Sequence, residues 1–269
     1  MKQRVLPLFT VLCGLLLSTL PLRADPSMID ARILTGWRAE DGRHVAALHL
    51  TMSDGWKTYW RAPGDAGVPP RFDWQGSDNL ADFRVTWPTP RTIDQGGIRT
   101  IGYADAVTLP LTLTPERPGQ PIRLSGTIEL GVCKDICVPV TLSLSQELPQ
   151  SDTRRDPRIV SAMAARPYTA QEAGVDAVRC TVSAMQGGLH LRAEVELPRT
   201  GANEVAVIET ANPEIWVAQA ATQRRGGRLV AETELHHVEG RAFALDRSGL
   251  RITVIGDDRA VDIQGCPAG

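Results

Sequence analysis

The sequence predicts an all-β protein, and three observations carry that prediction. Segments such as "VTLPLTL" (Val107–Leu113) and "TLSLSQEL" (Thr141–Leu148) alternate apolar and polar residues with period two, as a strand with one covered face does. Clusters of Gly, Pro, Asp and Asn, among them "APGDAGVPP" and "WQGSDN", cut the chain at short intervals. The 269 residues include 24 Gly and 19 Pro, and long helical patterns are few. Regular short strands between such turns suggest a β-sandwich.

Taken in order, the first elements fall between Ala31 and Leu148. "ARILTGWRA", "HVAALHLTM", "TYWRAP", "PPRFDW", "FRVTWP", "AVTLPLTLTP", "PIRLSGTIEL" and "VPVTLSLSQEL" all read as strands. "PQSDTRRDP" (Pro149–Pro157) is polar, charged and bounded by prolines, so it reads as a linker, and "PRIVSAMAAR" (Pro157–Arg166) as a short helix after it. The strand pattern resumes in "AVRCTVSAM", "GLHLRAEVEL", "EVAVIET", "EIWVAQA", "RLVAETELHH", "LRITVIG" and "RAVDIQG". The expected division is a targeting segment at 1–24, a β-sandwich at 25–148, a linker and short helix at 149–169, and a second small β-rich, sandwich-like domain at 170–269. A single large sandwich interrupted by the linker is the alternative.

The targeting segment has a positive start (Lys2, Arg4), an almost wholly apolar run from Val5 to Leu20, and a small residue, Ala24, at the expected cleavage point. It reads as a cleaved secretory signal. The alternative, an N-terminal membrane anchor, would need a longer apolar run. Cys13 lies inside the run after Leu12, which argues against a lipoprotein signal. The mature chain is therefore expected to start near Asp25, to be exported, and to contain no membrane span. A formal net charge of -2 and the lack of any basic run give no sign of nucleic-acid binding.

Five cysteines minus Cys13 leave Cys133, Cys137, Cys180 and Cys266. Three pairings are possible, and spacing favours Cys133–Cys137 with Cys180–Cys266. The first pair sits in "GVCKDICVPV" between strand-like flanks, so Lys134-Asp135-Ile136 would form a hairpin tip. Facing residues there have Cα atoms roughly 4.5–5.5 Å apart, which a disulfide tolerates. A bridge over three residues stabilises little, because loop-closure entropy grows with loop length, whereas Cys180–Cys266 encloses most of the second domain and is the better staple. The pair is thus a redox centre, an inert staple or a soft-metal site. C-x3-C suits Cu(I), while zinc would want two further ligands. His44, His49, His190, His236 and His237 are not adjacent to the pair in sequence. His44 and His49 have opposite parity on one strand and are expected at the surface or rim.

The stretches "SDGWKTYWRAPGDAGVPPRFDW", "GGIRTIGYADAVTLPLTLTP" and "GTIELGVCKDICVPVTLSL", in that order, resemble the periplasmic N-terminal domain of the DsbD thiol:disulfide interchange family and its copper-sensitivity suppressor relatives. The resemblance covers about Ile29 to Leu148. It implies an immunoglobulin-like sandwich with redox-active cysteines at one edge, here Cys133 and Cys137, that passes electrons by thiol–disulfide exchange without an organic cofactor. It implies a periplasmic location and two partners, a thioredoxin-like periplasmic oxidoreductase and a separate membrane electron donor. The separate donor is expected because this chain shows no membrane domain and no thioredoxin-like domain of its own. Tyr59 matches an active-site tyrosine of the family, with a core-edge aromatic as the alternative. A cap loop would run from Thr92 to Ile98, with Ile98 in place of the usual aromatic, and Asp94, Tyr103 and Lys134 would surround the site. The x3 spacing is narrower than in better-known members. Two rival functions stay open: a periplasmic Cu(I)-handling protein, and a non-enzymatic binding sandwich with structural disulfides.

Overall fold

The computed structural model describes residues 28–95, 97–150 and 153–267. The expected secretory signal lies outside the described residues. The chain before residue 149 forms β1 (Ile29–Arg38), β2 (His44–Met52), β3 (Lys57–Tyr59), β4 (Arg71–Asp73), β5 (Asp82–Val85), β6 (Arg91–Gln95), β7 (Ile98–Ala104), β8 (Ala106–Thr114), β9 (Ile122–Cys133) and β10 (Cys137–Leu148). These make two antiparallel sheets, β1-β2-β8-β5 and β10-β9-β3-β7-β6, with β4 pairing β9. Alternation puts Leu48 and Leu50 of β2, Leu109 and Leu111 of β8, and Ile128, Leu130 and Val132 of β9 into one core between the sheets.

The helix α1 (Pro157–Ala164) follows. Its start is fixed by Asp156, whose carboxylate accepts the Arg158 N–H at 2.8 Å, and by Pro157, whose missing N–H costs nothing in the first turn. It ends two residues before the expected Arg166, with Ala165 as the C-cap and Pro167 beyond it. Ile159, fully buried, lies against Leu34, Trp37, Val45 and Ala47 on the outer face of β1 and β2. Burying it contributes about 1.5–3 kcal/mol. This cover explains the five consecutive buried residues at the start of β2, which an alternating pattern does not predict. His44 is among them: it is fully buried, with Nε2 2.6 Å from the Thr35 carbonyl, and not at the rim as the sequence suggested.

The remaining strands are β11 (Tyr168–Thr169), β12 (Ala177–Met185), β13 (Gly188–Glu196), β14 (Val205–Glu209), β15 (Ile215–Val217), β16 (Ala221–Arg225), β17 (Arg228–His237), β18 (Arg251–Ile255) and β19 (Ala260–Gln264). They form a second pair of sheets, β11-β19-β18-β14 and β12-β13-β17-β15, with β16 pairing β17. Among the described residues only the β11–β19 pairing is parallel. Cys180 and Cys266 are bonded, with Cα atoms 5.7 Å apart and both residues 1% exposed, so the bridge ties β12 to the tail after β19.

The sheet containing β14, β18 and β19 is covered on both faces. Ala206, Ile208, Ile252, Val254, Val261 and Ile263 face its own core. On the other face Ile255 and Ala260 are buried in the core of the N-terminal sandwich, and Val207 packs against it. Strands covered on both sides read as near-continuous apolar runs, as "VAVI" and "ITVI" do.

Candidate functional site

The β9–β10 hairpin pairs in unbroken register from Ile122↔Leu148 to Cys133↔Cys137. Lys134, Asp135 and Ile136 form its tip, closed by Lys134 N–H to the Ile136 carbonyl at 3.1 Å. The facing cysteines have Cα atoms 4.1 Å apart and their sulfurs are bonded. They are not equivalent. Cys133 is 1% exposed because β3 covers its flank, Lys57 pairing directly with it. Cys137 is exposed because β10 is the outermost strand of its sheet.

Tyr59, on β3, reaches across to both sulfurs. Its hydroxyl is 2.9 Å from Cys133 Sγ and 3.2 Å from Cys137 Sγ. A disulfide has no S–H, so the phenol is the donor. Two glycines make room for the ring. A Cβ on Gly131 would sit 3.0 Å from Tyr59 Cε2, and one on Gly67 would sit 3.1 Å from Tyr59 Cδ1 and 2.2 Å from Pro63 Cβ. The ring is therefore slotted between β9 and the segment after β3. Burial raises the Tyr59 pKa above its ordinary value, which keeps the hydroxyl protonated and available as a donor.

Lys57 is 7% exposed and its ammonium donates to Thr100 Oγ1 at 3.4 Å. Burial lowers its pKa. Lys134 is exposed, and its ammonium donates to the Asp54 carbonyl at 3.2 Å, tethering the hairpin tip to the β2–β3 turn. Beside the bridge, Ile136 at the tip is 69% exposed and Val68, whose Cβ is 3.0 Å from the Cβ position of Gly131, is 46% exposed.

The remaining expected neighbours lie on β6 and β7. Of the expected cap, Thr92 to Gln95 lie on β6 and Ile98 on β7, at the turn end of that hairpin. Ile98 is exposed on it, in phase with Thr100 and Gly102 and so on the face that carries Tyr59. Asp94 pairs opposite Arg99, in the other phase, with their charged groups 4.0 Å apart. Tyr103 pairs with Thr58, one residue out of phase with Lys57 and Tyr59, so it enters the core and its hydroxyl donates to the Pro88 carbonyl at 2.8 Å. Among the described residues no group of three or more His, Cys, Asp or Glu is placed to hold a metal ion. The sequence reading missed Lys57, Gly131 and Gly67. A glycine inside a strand, two residues before Cys133, is itself a sign of close approach by another group.

Fold and site together define a two-sandwich β protein with a disulfide at the tip of an edge hairpin, its sulfurs held under a tyrosine hydroxyl. Residues 30–149 match the family model described as thiol:disulfide interchange protein DsbD, N-terminal. The crystal structure of the N-terminal periplasmic domain of ScsB from Proteus mirabilis is similar over 93% of this chain and 97% of that one, with a TM-score of 0.69 and 22% identity. That likeness shows a shared fold through both sandwiches. A protein of unknown function from Porphyromonas gingivalis W83 aligns over 88% of this chain and 99% of its own at 15% identity, with a TM-score of 0.24, and bears no argument. No curated protein matches the chain. Among the described residues no helix is long and apolar enough to cross a membrane.

Proposed function

We propose that this is a periplasmic thiol:disulfide interchange protein in which Cys133 and Cys137 pass electrons to a thioredoxin-like oxidoreductase. The observation that carries this reading is the asymmetry of the bridge: one cysteine exposed, one buried, and a tyrosine hydroxyl within hydrogen-bond reach of both sulfurs. In the reduced protein the Cys137 thiolate attacks one sulfur of the partner's disulfide. The Cys137–partner bond forms as the partner's own S–S bond breaks, and the partner's second sulfur leaves as a thiolate and takes a proton. The Cys133 thiolate then attacks Cys137 Sγ, forms the Cys133–Cys137 bond and expels the partner's first sulfur, which is protonated in turn. Two electrons and two protons have passed to the partner. Tyr59 donates its hydroxyl to whichever sulfur carries negative charge. A separate membrane protein with a reduced dithiol restores the pair, and no organic cofactor takes part.

Single substitutions test the assignment. Cys133→Ser leaves Cys137 as the attacking thiol with nothing to resolve it, so it accumulates a mixed disulfide with a thioredoxin-like protein, whereas Cys137→Ser does not. Capture by neither variant refutes the redox reading, and efficient capture by Cys137→Ser alone reverses the roles of the two cysteines.

A further inference from the structure

The strand that supplies Tyr59 is short. β3 has three residues, and its ladder with β7 ends at Tyr59↔Gly102. The segment that follows, Trp60 to Val68, borders the Tyr59 ring through Gly67, with Pro63 packed against Gly67 and Val68 against Gly131. Its own sheet holds it by Trp60 N–H to the Ile101 carbonyl and Ile101 N–H to the Pro63 carbonyl, both 3.0 Å. Its side-chain anchors are on the C-terminal sandwich. Arg61 donates from Nε and Nη2 to the two carboxylate oxygens of Glu209, both at 3.0 Å, and from Nη2 to Thr253 Oγ1 at 3.2 Å. The guanidinium lies 3.9 Å from the ring centroid of Trp60, which is fully buried. Four residues on, Asp65 accepts the Gln219 N–H at 3.0 Å.

These anchors are fixed at the far end. The Arg61 and Glu209 side chains are 12% and 21% exposed, so the forked ion pair is far less screened than a surface pair. Thr253 is fully buried on β18, on the face whose Ile255 enters the N-terminal core. Turning one sandwich against the other would break the fork and expose Ile255 and Ala260 together. The contact therefore does more than join two bodies: it grips the segment that leaves Tyr59 at two points, on either side of Pro63.

We propose that the C-terminal sandwich is a brace for the redox site, with Arg61, Asp65 and Glu209 as positioning residues that hold the Tyr59 hydroxyl against Cys133 and Cys137. This rests on the redox reading above and gives the second sandwich a task within it. Loosening the brace lets the Tyr59 ring leave its slot. The thiolate of the reduced pair then loses its donor, and the oxidised bridge loses its cover.

The test uses the full chain and two readouts: the pH profile of cysteine alkylation in the reduced protein, and the rate at which dithiothreitol reduces the Cys133–Cys137 bridge. Glu209→Gln removes the forked pair. Asp65→Ala removes the second grip at an exposed position, so it reports on the brace even if Glu209→Gln folds poorly. Each is expected to move the alkylation profile to higher pH and to change the reduction rate by at least about fivefold, the low end of couplings between sites. Tyr59→Phe is expected to move the profile the same way, and Tyr59→Phe with Asp65→Ala no further than Tyr59→Phe alone, because both act through one contact. A reactive wild-type bridge with profiles unmoved in both brace variants overturns the brace alone. So does simple addition in the double variant. A wild-type bridge that resists dithiothreitol overturns the redox reading and the brace with it.

Discussion

Removing one hydroxyl, by Tyr59→Phe, isolates what the tyrosine does for the pair. The ring stays in its slot between Gly131 and Gly67, so packing is preserved. What is lost is a donor 2.9 Å from Cys133 Sγ and 3.2 Å from Cys137 Sγ. In the oxidised protein that donor meets neutral sulfur, and in the reduced protein it meets a thiolate, so its removal costs the reduced form more. A hydrogen bond to a charged group contributes about 1.5–3 kcal/mol, and sulfur, a weak acceptor, belongs at the low end. About 1.5 kcal/mol corresponds to roughly one pK unit on the thiol. For a two-electron couple it corresponds to ~30 mV. The variant should therefore show a thiol pKa higher by about one unit and a bridge about 30 mV harder to reduce, where the thiolate is populated. The assay is equilibration in glutathione buffers with the reduced fraction counted by alkylation and mass spectrometry. An unchanged potential and alkylation profile, or a bridge that becomes easier to reduce, would refute the reasoning.

Three further outcomes follow from the geometry. The Cys180–Cys266 bridge spans a sequence separation of 86 and Cys133–Cys137 one of 4, so chain entropy gives about 4.6 and about 1.9 kcal/mol respectively. Paired Cys→Ala variants compared by urea unfolding should lose far more stability at the long loop, and equal losses would contradict the division into staple and working bridge. Gly131→Ala drives a methyl group into the Tyr59 ring and should cost about 1–3 kcal/mol in unfolding free energy while shifting the alkylation profile as Tyr59→Phe does; a neutral substitution would mean that the ring does not rest there. Lys57 is buried, and burial lowers its pKa below 10.5. Below that lowered pKa the folded state bears the full cost of the buried charge. Between the lowered pKa and 10.5 the unfolded chain binds the extra proton, so stability rises with pH through that window. Lys57→Met should abolish this rise and raise the melting temperature at neutral pH, and a lower melting temperature would show that the ammonium is stabilising where it sits.

Much of this was legible in the sequence because the residues concerned obey local rules. The hairpin from Ile122 to Leu148 alternates cleanly on both arms, which set the register that brings Cys133 opposite Cys137. The Asp156-Pro157 start of the helix is a capping signal. Other features depend on contacts distant in the chain and left no local trace. Val45 and Ala47 are buried because a helix more than a hundred residues later covers the outer face of their sheet, and His44, in phase with Ala46 and Leu48 and paired with Leu113, faces the core between the sheets. "ATQRR" is too polar to read as a strand, yet β16 pairs with β17 along its whole length. "TYWRAP" reads as one strand, but the ladder stops at Tyr59, and the segment beyond turns to meet Glu209 and Gln219. Tyr103 and Tyr59 look alike in sequence, and only the pairing of Tyr103 with Thr58 shows that they face opposite ways.

The central claim is that Cys133–Cys137 is a working bridge and Cys180–Cys266 a structural one. Stepwise reduction of the folded chain with dithiothreitol, followed by alkylation and mapping of each cysteine, tests it most directly. Cys137 is exposed, whereas Cys180 and Cys266 are each 1% exposed, so attack reaches the first bridge and not the second without unfolding. The account predicts complete reduction of Cys133–Cys137 while Cys180–Cys266 stays intact. Two bridges that open together, or a Cys133–Cys137 bridge that resists as stubbornly as the other, would contradict it.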